Sequence, residues 1–327
     1  MAVFTSVDSN DAAALCAELG LGPVRSLEGI AGGIENTNYF LTTGSDEQPQ
    51  AWVLTLFERL SAEQLPFYLR LMHHLAEQGL PVPKPVANAK GELLHALAGK
   101  PAAVVNRLPG QSNLQPQVAH VATMGAVLAK LHVAGASFAL QQPNLRALPW
   151  WNDTAPLVLP YLNEAQAALL RHELAYQNHV AATGAYRGLP RGAVHADLFR
   201  DNVLFDGTTL TGVFDFYFAG TDTWLFDLAV CANDWCNGQD GVTPDPIKLQ
   251  AMLQAYQATC PFGSAERRLW PTMQRAAALR FWISRLWDFY LPREAALLTP
   301  HDPKPLEQRL RARVAAAQAT YQETACI

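Results

Sequence analysis

The sequence is poor in cysteine. Its 327 residues include five cysteines, an odd number, scattered along the chain. No two of them have the Cys-x-x-Cys spacing, or a mixed spacing with histidine, that holds zinc. The sequence therefore predicts neither a disulfide framework nor a structural zinc site, and it favours reduced thiols in a cytoplasmic protein.

Charged residues are also sparse. Together Asp, Glu, Lys and Arg make up 16% of the chain, with a net charge of −5 at pH 7. No run of basic residues is present, which argues against nucleic acid or an anionic membrane as partner. The N-terminus lacks the basic start and long apolar segment of a signal peptide, and no 18-residue apolar run occurs elsewhere. These absences favour a cytoplasmic protein whose partner is a small soluble molecule.

Apolar residues, in contrast, are plentiful. They make up 50% of a chain that is long enough to form two lobes, each with its own core. No internal repeat or low-complexity segment interrupts the sequence. Strand patterns dominate the first third and helical patterns the rest, including a polar, proline-rich stretch at 136–154 that reads as a loop.

The most informative stretch is residues 193–220, AVHADLFRDNVLFDGTTLTGVFDFYFAG. The apolar runs on either side of the turn pair Asp206-Gly207 predict a tight β-hairpin. Such a hairpin brings Asp215, at its end, back beside Asn202, at its start. Phosphoryl transfer needs a carboxylate near the acceptor hydroxyl, and an amide oxygen plus a second carboxylate on magnesium. We expect Asp197, Asn202 and Asp215 to supply these three groups.

This stretch resembles the catalytic and metal loops of the protein-kinase-like superfamily, which carry HRD followed five positions later by Asn, and then DFG. Ala196 and the triplet Asp215-Phe216-Tyr217 make it more similar to the aminoglycoside and small-molecule phosphotransferase branch. The resemblance implies an α+β, two-lobed protein-kinase-like fold, with a small antiparallel-sheet N-lobe and a larger, mainly helical C-lobe.

The same resemblance implies the chemistry. It implies that Asp197 orients or deprotonates an acceptor hydroxyl, that His195 braces the loop, and that the cofactors are ATP and Mg²⁺. Asn202 and Asp215 are the implied metal ligands. Downstream, Asp227 opens an Asp-Leu-Ala element whose aspartate, in the family, steadies the catalytic loop; a plain helix carboxylate is the alternative.

A glycine-rich segment lies upstream, between two strand patterns. Gly32 and Gly33, followed by Asn36, are suited to a loop that covers phosphates, since glycine leaves backbone N–H groups accessible. The segment GGIENTNYF resembles the glycine loop of the homoserine kinases of the same superfamily. The third strand departs from the family, because Thr55 stands where kinases carry a lysine on the phosphates.

The boundary between the lobes is expected near residue 108. A strand over 102–106 leads into Arg107 and the pair Pro109-Gly110, an arrangement similar to the hinge that binds adenine. The predicted domains are therefore a nucleotide-binding lobe, 1–107, and a catalytic and substrate lobe, 108–327. Val105 and Arg107 join the glycine loop as candidate nucleotide contacts.

The acceptor is predicted mainly from charge. The helical region 262–294 holds more arginines than carboxylates, which disfavours a polycationic aminoglycoside. Homoserine is a zwitterion that needs a guanidinium and an acid, and Arg280 and Asp288 are the candidates, with Tyr217 as a third contact. An ordinary salt bridge is an equal alternative for the charged pair. The expected activity is that of a homoserine kinase, with a choline, ethanolamine or other small-molecule kinase as one alternative and a non-catalytic nucleotide-binding protein as another.

Overall fold

The computed structural model describes residues 4–30, 36–292 and 301–325. Within these ranges the helices are α1 (Ser9–Glu18), α2 (Leu65–Glu77), α3 (Val118–Gly135), α4 (Leu148–Val158), α5 (Glu164–Ala181), α6 (Gly184–Arg187), α7 (Trp224–Trp235), α8 (Pro246–Gln257), α9 (Ser264–Tyr290) and α10 (Lys304–Ala325). The strands are β1 (Val24–Gly29), β2 (Asn36–Gly44), β3 (Pro49–Phe57), β4 (His95–Leu97), β5 (Lys100–Asn106), β6 (Arg191–Val194), β7 (Val203–Asp206), β8 (Thr209–Val213) and β9 (Gly220–Thr223).

The chain divides into two compact units. The N-terminal unit comprises Met1–Gly110 with Thr211–Phe214, and the C-terminal unit comprises Gln111–Leu210 and Asp215–Ile327. The predicted functional division into 1–107 and 108–327 stays a prediction.

A five-stranded antiparallel sheet forms the N-terminal unit. Its strand order is β1-β2-β3-β5-β4. Every second residue of β2 is buried, which is the period expected when one face of a strand packs on a core. The buried side chains Leu41 and Leu54 pack in one cluster with Ala12, Leu15 and Cys16 of α1. The sheet is thus closed on this side by the first helix.

Helix α2 runs over Leu65–Glu77 and has no side-chain cap. Ser61 opens a turn, its carbonyl accepting from the backbone N–H of Gln64 and Leu65. Pro66 explains the start, because its fixed φ and missing N–H suit the first helical turn.

The C-terminal unit is built around α7 and α9, which pack against each other. The largest side chains in this core, Trp235 and Trp282, are fully buried. Helix α10 is fixed to the end of α7, since Arg313 donates to Asn233 Oδ1 and Asn237 Oδ1 at 2.7 Å each. The helical half of the molecule is therefore one packed unit.

Helix α3 is more apolar than the sequence reading recognised. By length and composition it could cross a membrane, with a mean hydropathy of 1.3 over 18 residues, and half of those residues are buried inside the protein. It packs closely on α8, where a Cβ at Gly125 would lie 2.4 Å from the carbonyl oxygen of Met252. The burial is that of a core helix.

The stretch expected to be a loop, 136–154, contains the first turns of α4. This helix starts at Leu148 with Pro149 in its first turn and includes Pro156. Because proline usually interrupts helices, the two prolines concealed the pattern. Trp150 and Trp151 therefore lie on a helix, and Trp151 is buried in it.

Strands β6 and β9 were not predicted. They pair antiparallel, with Val194 opposite Gly220 and Arg191 opposite Thr223. This pairing places the strand that ends just before His195 beside the strand that begins at Gly220, after Asp215. Thr223 also caps α7, its hydroxyl accepting from the backbone N–H of Phe226 at 3.3 Å.

Candidate active site

A short loop follows β6, and its backbone is held by one carboxylate. The backbone N–H groups of His195 and Ala196 donate to Asp227 of α7, at 2.9 Å to Oδ2 and 2.7 Å to Oδ1. Ala196 has φ +63°, in the left-handed region. Successive N–H groups converge in such a conformation and form a concave site for an anion, which here is the Asp227 side chain.

Asp227 is itself completely buried. Burial alone would raise its pKa, but His132, whose Nε2 lies 3.0 Å from Oδ2, and the His195 amide hold the pKa of Asp227 below its usual value. Nδ1 of the same imidazole lies 2.8 Å from the Tyr256 hydroxyl. Neither His132 nor Tyr256 was selected from the sequence, because nothing local indicates that α3 and α8 converge on this carboxylate.

We expect Asp227→Asn to destabilise the protein at neutral pH, because an amide nitrogen cannot accept the hydrogen bonds that the lost oxygen accepted. Since the pKa of Asp227 is lower in the folded protein than in the unfolded chain, where it is about 3.9, its stabilising contribution is present above that pH. The contribution is lost as the pH falls through the folded value. Melting temperatures of both proteins from pH 7 to pH 3 check this: the gap should narrow on acidification, and a constant gap would contradict it.

Asp197 lies at the bend of the loop. The Asp197 backbone carbonyl accepts from Asn202 Nδ2 at 2.9 Å, and the Asp197 Oδ1 is 3.4 Å from Nη1 of Arg280. About a fifth of the side chain, 19%, is exposed. His195 is buried behind it, and its Nδ1 accepts from the Asp197 backbone N–H at 3.3 Å. The Asp197 carboxylate is thus partly accessible and held in a fixed position.

The side-chain nitrogen of Asn202 donates to Asp197, whereas Asn202 Oδ1 accepts no hydrogen bond from the described residues. Asn202 ends the short turn before β7, and Asp215 follows β8, the partner strand of the hairpin. An antiparallel hairpin places both residues at the same end. Asp215 has φ +65°, which turns the chain sharply after the strand. Carboxylate and amide oxygens are donors that Mg²⁺ prefers.

No group of three or more His, Cys, Asp or Glu side chains suited to a metal is found within residues 4–30, 36–292 and 301–325. Asn202 with Asp215 is therefore a partial donor set. Such a set fits a metal that is also held by phosphate oxygens, as Mg²⁺ usually is in phosphotransferases.

A second brace holds the far end of the loop. Asp234 accepts from the backbone N–H of Arg200 at 3.0 Å and from its Nε at 2.9 Å. Trp235 Nε1 donates to the Leu198 carbonyl at 3.1 Å. Asp227 and Asp234 are seven residues apart, two turns of α7, so one helix face fixes both ends of the loop. The ion pair between Arg200 and Asp234 was not predicted from the sequence.

Arg280 lies on α9 and is directed at Asp197. It is 3% exposed, and its guanidinium carbon is 3.7 Å from the ring centre of Phe281 and 5.4 Å from that of Phe218. Burial lowers the pKa of Arg280 to about 10, against the opposing effect of Asp197. Arg280 was expected to bind the carboxylate of the acceptor, but within the protein it already has an anionic partner, Asp197.

The other two acceptor candidates are placed differently. Asp288 is exposed on α9, two turns beyond Arg280. Tyr217 is half-buried in the short turn Phe216–Phe218 that follows Asp215. Their contacts with an acceptor stay predictions.

Among the candidate nucleotide contacts, Gly32 and Gly33 lie outside the described residues. Asn36 begins β2 opposite Phe57, and Val105 pairs with Val53 in the sheet. The Arg107 guanidinium stacks on Phe40, 4.0 Å from its centre. All three belong to the N-terminal unit.

Thr55 is the residue that the sequence analysis placed where kinases carry a lysine. Its hydroxyl donates to Asn38 Oδ1 at 2.7 Å, and the side chain is buried. Nearby in the same unit, Lys100 pairs with Glu58 at 3.1 Å. Lys100 belongs to β5, whereas the lysine of kinases is expected on β3 at the position of Thr55. Among the described strands, therefore, no lysine stands at the expected position.

Comparison with known proteins gives three findings. The model of the family described as "Phosphotransferase enzyme family" matches residues 26–270. A homoserine kinase of Polaromonas naphthalenivorans is 58% identical over 315 residues, 96% of this chain and 98% of the relative. A homoserine kinase of Cupriavidus necator is 53% identical, covering 98% of each chain.

Solved structures are similar in fold. A structure of an amicoumacin kinase in complex with AMP-PNP, Ca²⁺ and Ami matches with a TM-score of 0.69 at 16% identity, over 94% of this chain and 93% of that one. A choline kinase from Cryptosporidium parvum matches with a TM-score of 0.60 at 12% identity, over 97% of each chain. At these identities only the fold is shared, and the predicted protein-kinase-like fold class is confirmed.

Proposed function

Because the chain belongs to the phosphotransferase enzyme family, we propose that it transfers the terminal phosphoryl group of ATP to the side-chain hydroxyl of homoserine. The products are O-phosphohomoserine and ADP, a step toward threonine. The observation that carries this proposal is the Asp197 carboxylate, held in place and 19% exposed. The curated homoserine kinases, similar over nearly the whole chain, support the acceptor.

Asp197 accepts the proton of the acceptor hydroxyl, or orients that hydroxyl, as the hydroxyl oxygen attacks the terminal phosphorus of ATP. His195 and Asp227 hold the loop so that the carboxylate is already positioned. When bound, Mg²⁺ neutralises charge on the phosphates, and the donor oxygens of Asn202 and Asp215 fit that ion.

The nucleotide role falls to residues 1–107 and the catalytic and substrate role to 108–327. Backbone groups near Gly32 and Gly33 cover the phosphates, while Asn36, Val105 and Arg107 contact the nucleotide. The low charge and the absence of basic runs support a cytoplasmic enzyme with a small-molecule partner, and neither nucleic acid nor a membrane.

Aromatic side chains near Asp197 bear on the alternative acceptor, choline. A quaternary ammonium needs open aromatic faces. Here Arg280 lies over Phe281, at 3.7 Å from the ring centre, and Arg146 lies 5.0 Å from the centre of Trp287. Guanidinium groups already cover these two rings, so neither ring offers an open face to a cationic headgroup.

A coupled assay of ADP release tests the proposal. With ATP and Mg²⁺, we expect the highest kcat/KM for homoserine within a panel that includes choline, an aminoglycoside and methylthioribose. A higher value for choline would contradict the acceptor and leave the phosphotransferase activity standing. Tight ATP binding without ADP release for any acceptor would favour the non-catalytic alternative.

A further inference from the structure

The two faces of the N-terminal sheet carry different side chains. On one face, Leu41 and Leu54 pack with the residues of α1. Because successive side chains of a strand point to opposite faces, Asn38 of β2 and Thr55 of β3 lie on the other face, where they are direct partners across the strand pair. The backbone carbonyl of Asn38 also accepts from the N–H of Ile30 at 2.8 Å. Asn38 therefore lies beside the residue that directly precedes the glycine pair expected to cover phosphates.

The side-chain amide of Asn38 is oriented through its oxygen. The hydroxyl of the buried Thr55 donates to Asn38 Oδ1 at 2.7 Å. The nitrogen of the same amide donates to none of the residues that the structure describes, and the side chain is only half-buried. An asparagine amide nitrogen carries two N–H donors. Thr55 thus fixes an amide that has two N–H groups left for a ligand.

Lys100 is engaged on the opposite face of the sheet. Its ammonium pairs with Glu58 at 3.1 Å, and Glu58 also accepts from the hydroxyl of the buried Thr37 at 2.7 Å. Thr37 directly precedes Asn38 in β2, so its side chain points to the face that packs on α1. This ion pair is therefore not on the face of Asn38, and Lys100 does not take the place of the missing lysine.

Arg107 lies on the same face as Asn38 but further along the strand. Its guanidinium stacks on Phe40, 4.0 Å from the ring centre, and its backbone N–H donates to the Ala51 carbonyl at 3.0 Å. Phe40 is two residues, or about 7 Å, beyond Asn38 along β2. The face thus carries a cation toward the expected hinge and an oriented amide toward the glycine pair.

We infer that the Asn38 amide donates to a phosphate oxygen of the bound nucleotide, in the place of the lysine that kinases carry, and that Thr55 positions this amide. The inference rests on the proposed function and assigns one phosphate contact in it. An amide donates hydrogen bonds to an anion without neutralising its charge. Neutralisation of the phosphates then depends on bound Mg²⁺ rather than on a strand lysine.

The test compares the binding of ADP with that of adenosine, which has the same base and sugar but no phosphate. With excess Mg²⁺, Asn38→Ala is expected to raise Kd for ADP by about 10-fold or more, because a hydrogen bond to a charged group is lost. Its Kd for adenosine should change little. Asn38→Asp keeps an acceptor for the Thr55 hydroxyl but places a negative charge beside the phosphates, so its loss of ADP affinity should exceed that of Asn38→Ala. Thr55→Val, which removes only the orienting hydroxyl, should give a smaller loss for ADP.

Controls separate this role from a structural one. Thr42→Val, on the same face of β2 and four residues beyond Asn38, should leave both dissociation constants unchanged. In the kinase assay Asn38→Ala should raise KM for ATP and leave KM for homoserine unaffected. Equal losses for ADP and adenosine in the Asn38 variants, or an unchanged Kd for ADP, would overturn the inference. If the unsubstituted protein binds ADP but does not phosphorylate homoserine, the proposed acceptor fails, while the two Kd values still decide the role of Asn38.

Discussion

Asp197→Asn is expected to lower kcat by about 10²- to 10⁴-fold while leaving the affinity for ATP nearly unchanged, because an amide cannot accept the hydroxyl proton. The backbone carbonyl that binds Asn202 remains, so the loop keeps its main hydrogen bond. Single-turnover rates with saturating ATP and homoserine measure the chemical step directly.

The same substitution removes the anionic partner of the buried Arg280. A drop in melting temperature should accompany the loss of rate, since an uncompensated buried charge is destabilising. Rates are therefore compared well below the transition. Asp206→Asn, at the exposed end of β7, is the matched control and should keep full activity. Near-normal turnover in Asp197→Asn would disprove the role of this carboxylate.

Asp215→Ala is expected to abolish magnesium-dependent ATP binding together with activity, by about 10³-fold or more. The substitution removes the carboxylate of the proposed metal site, and a bound metal contributes several kcal/mol of charge stabilisation. Titration calorimetry of ATP with Mg²⁺ and with excess chelator separates the metal-dependent part of binding. The variant should bind nucleotide equally weakly under both conditions.

Asn202→Ala should give a smaller loss of the same kind, because it removes a neutral donor and a charged one remains. Asp206→Ala again serves as the control on the same hairpin. If Asp215→Ala retains a magnesium-dependent gain in ATP affinity, the proposed metal site is wrong.

Features set by local sequence were predictable. The turn pair Asp206-Gly207 and its flanking apolar runs predicted the hairpin of β7 and β8, which the structure contains. Alternating burial in β2 and helical spacing in α5 and α9 follow directly from side-chain periodicity. The contact between Asn202 and Asp197 follows from their spacing in one loop.

Features set by distant contacts were not predictable. β6 pairs with β9 across 25 intervening residues, and four-residue strands carry little pattern of their own. Helix α4 was concealed by its prolines. Arg146 and Arg280 both lie beside Phe218, at 6.0 Å and 5.4 Å from its ring centre. Their proximity depends on how the segment before α4 packs against α9, and one arginine in a proline-rich stretch gives no local signal of it.

The paired hydrogen bonds from His195 and Ala196 to Asp227 bear on the dynamics of this loop. Loops usually open locally at little cost in free energy, independently of the core. Here the acceptor is a buried carboxylate on α7, so releasing the loop would take two hydrogen bonds from a charge that stays in the helical core. Local opening at these residues is therefore coupled to opening of the core itself. We therefore expect the part of the chain that positions the reaction to open together with the core helix that holds it.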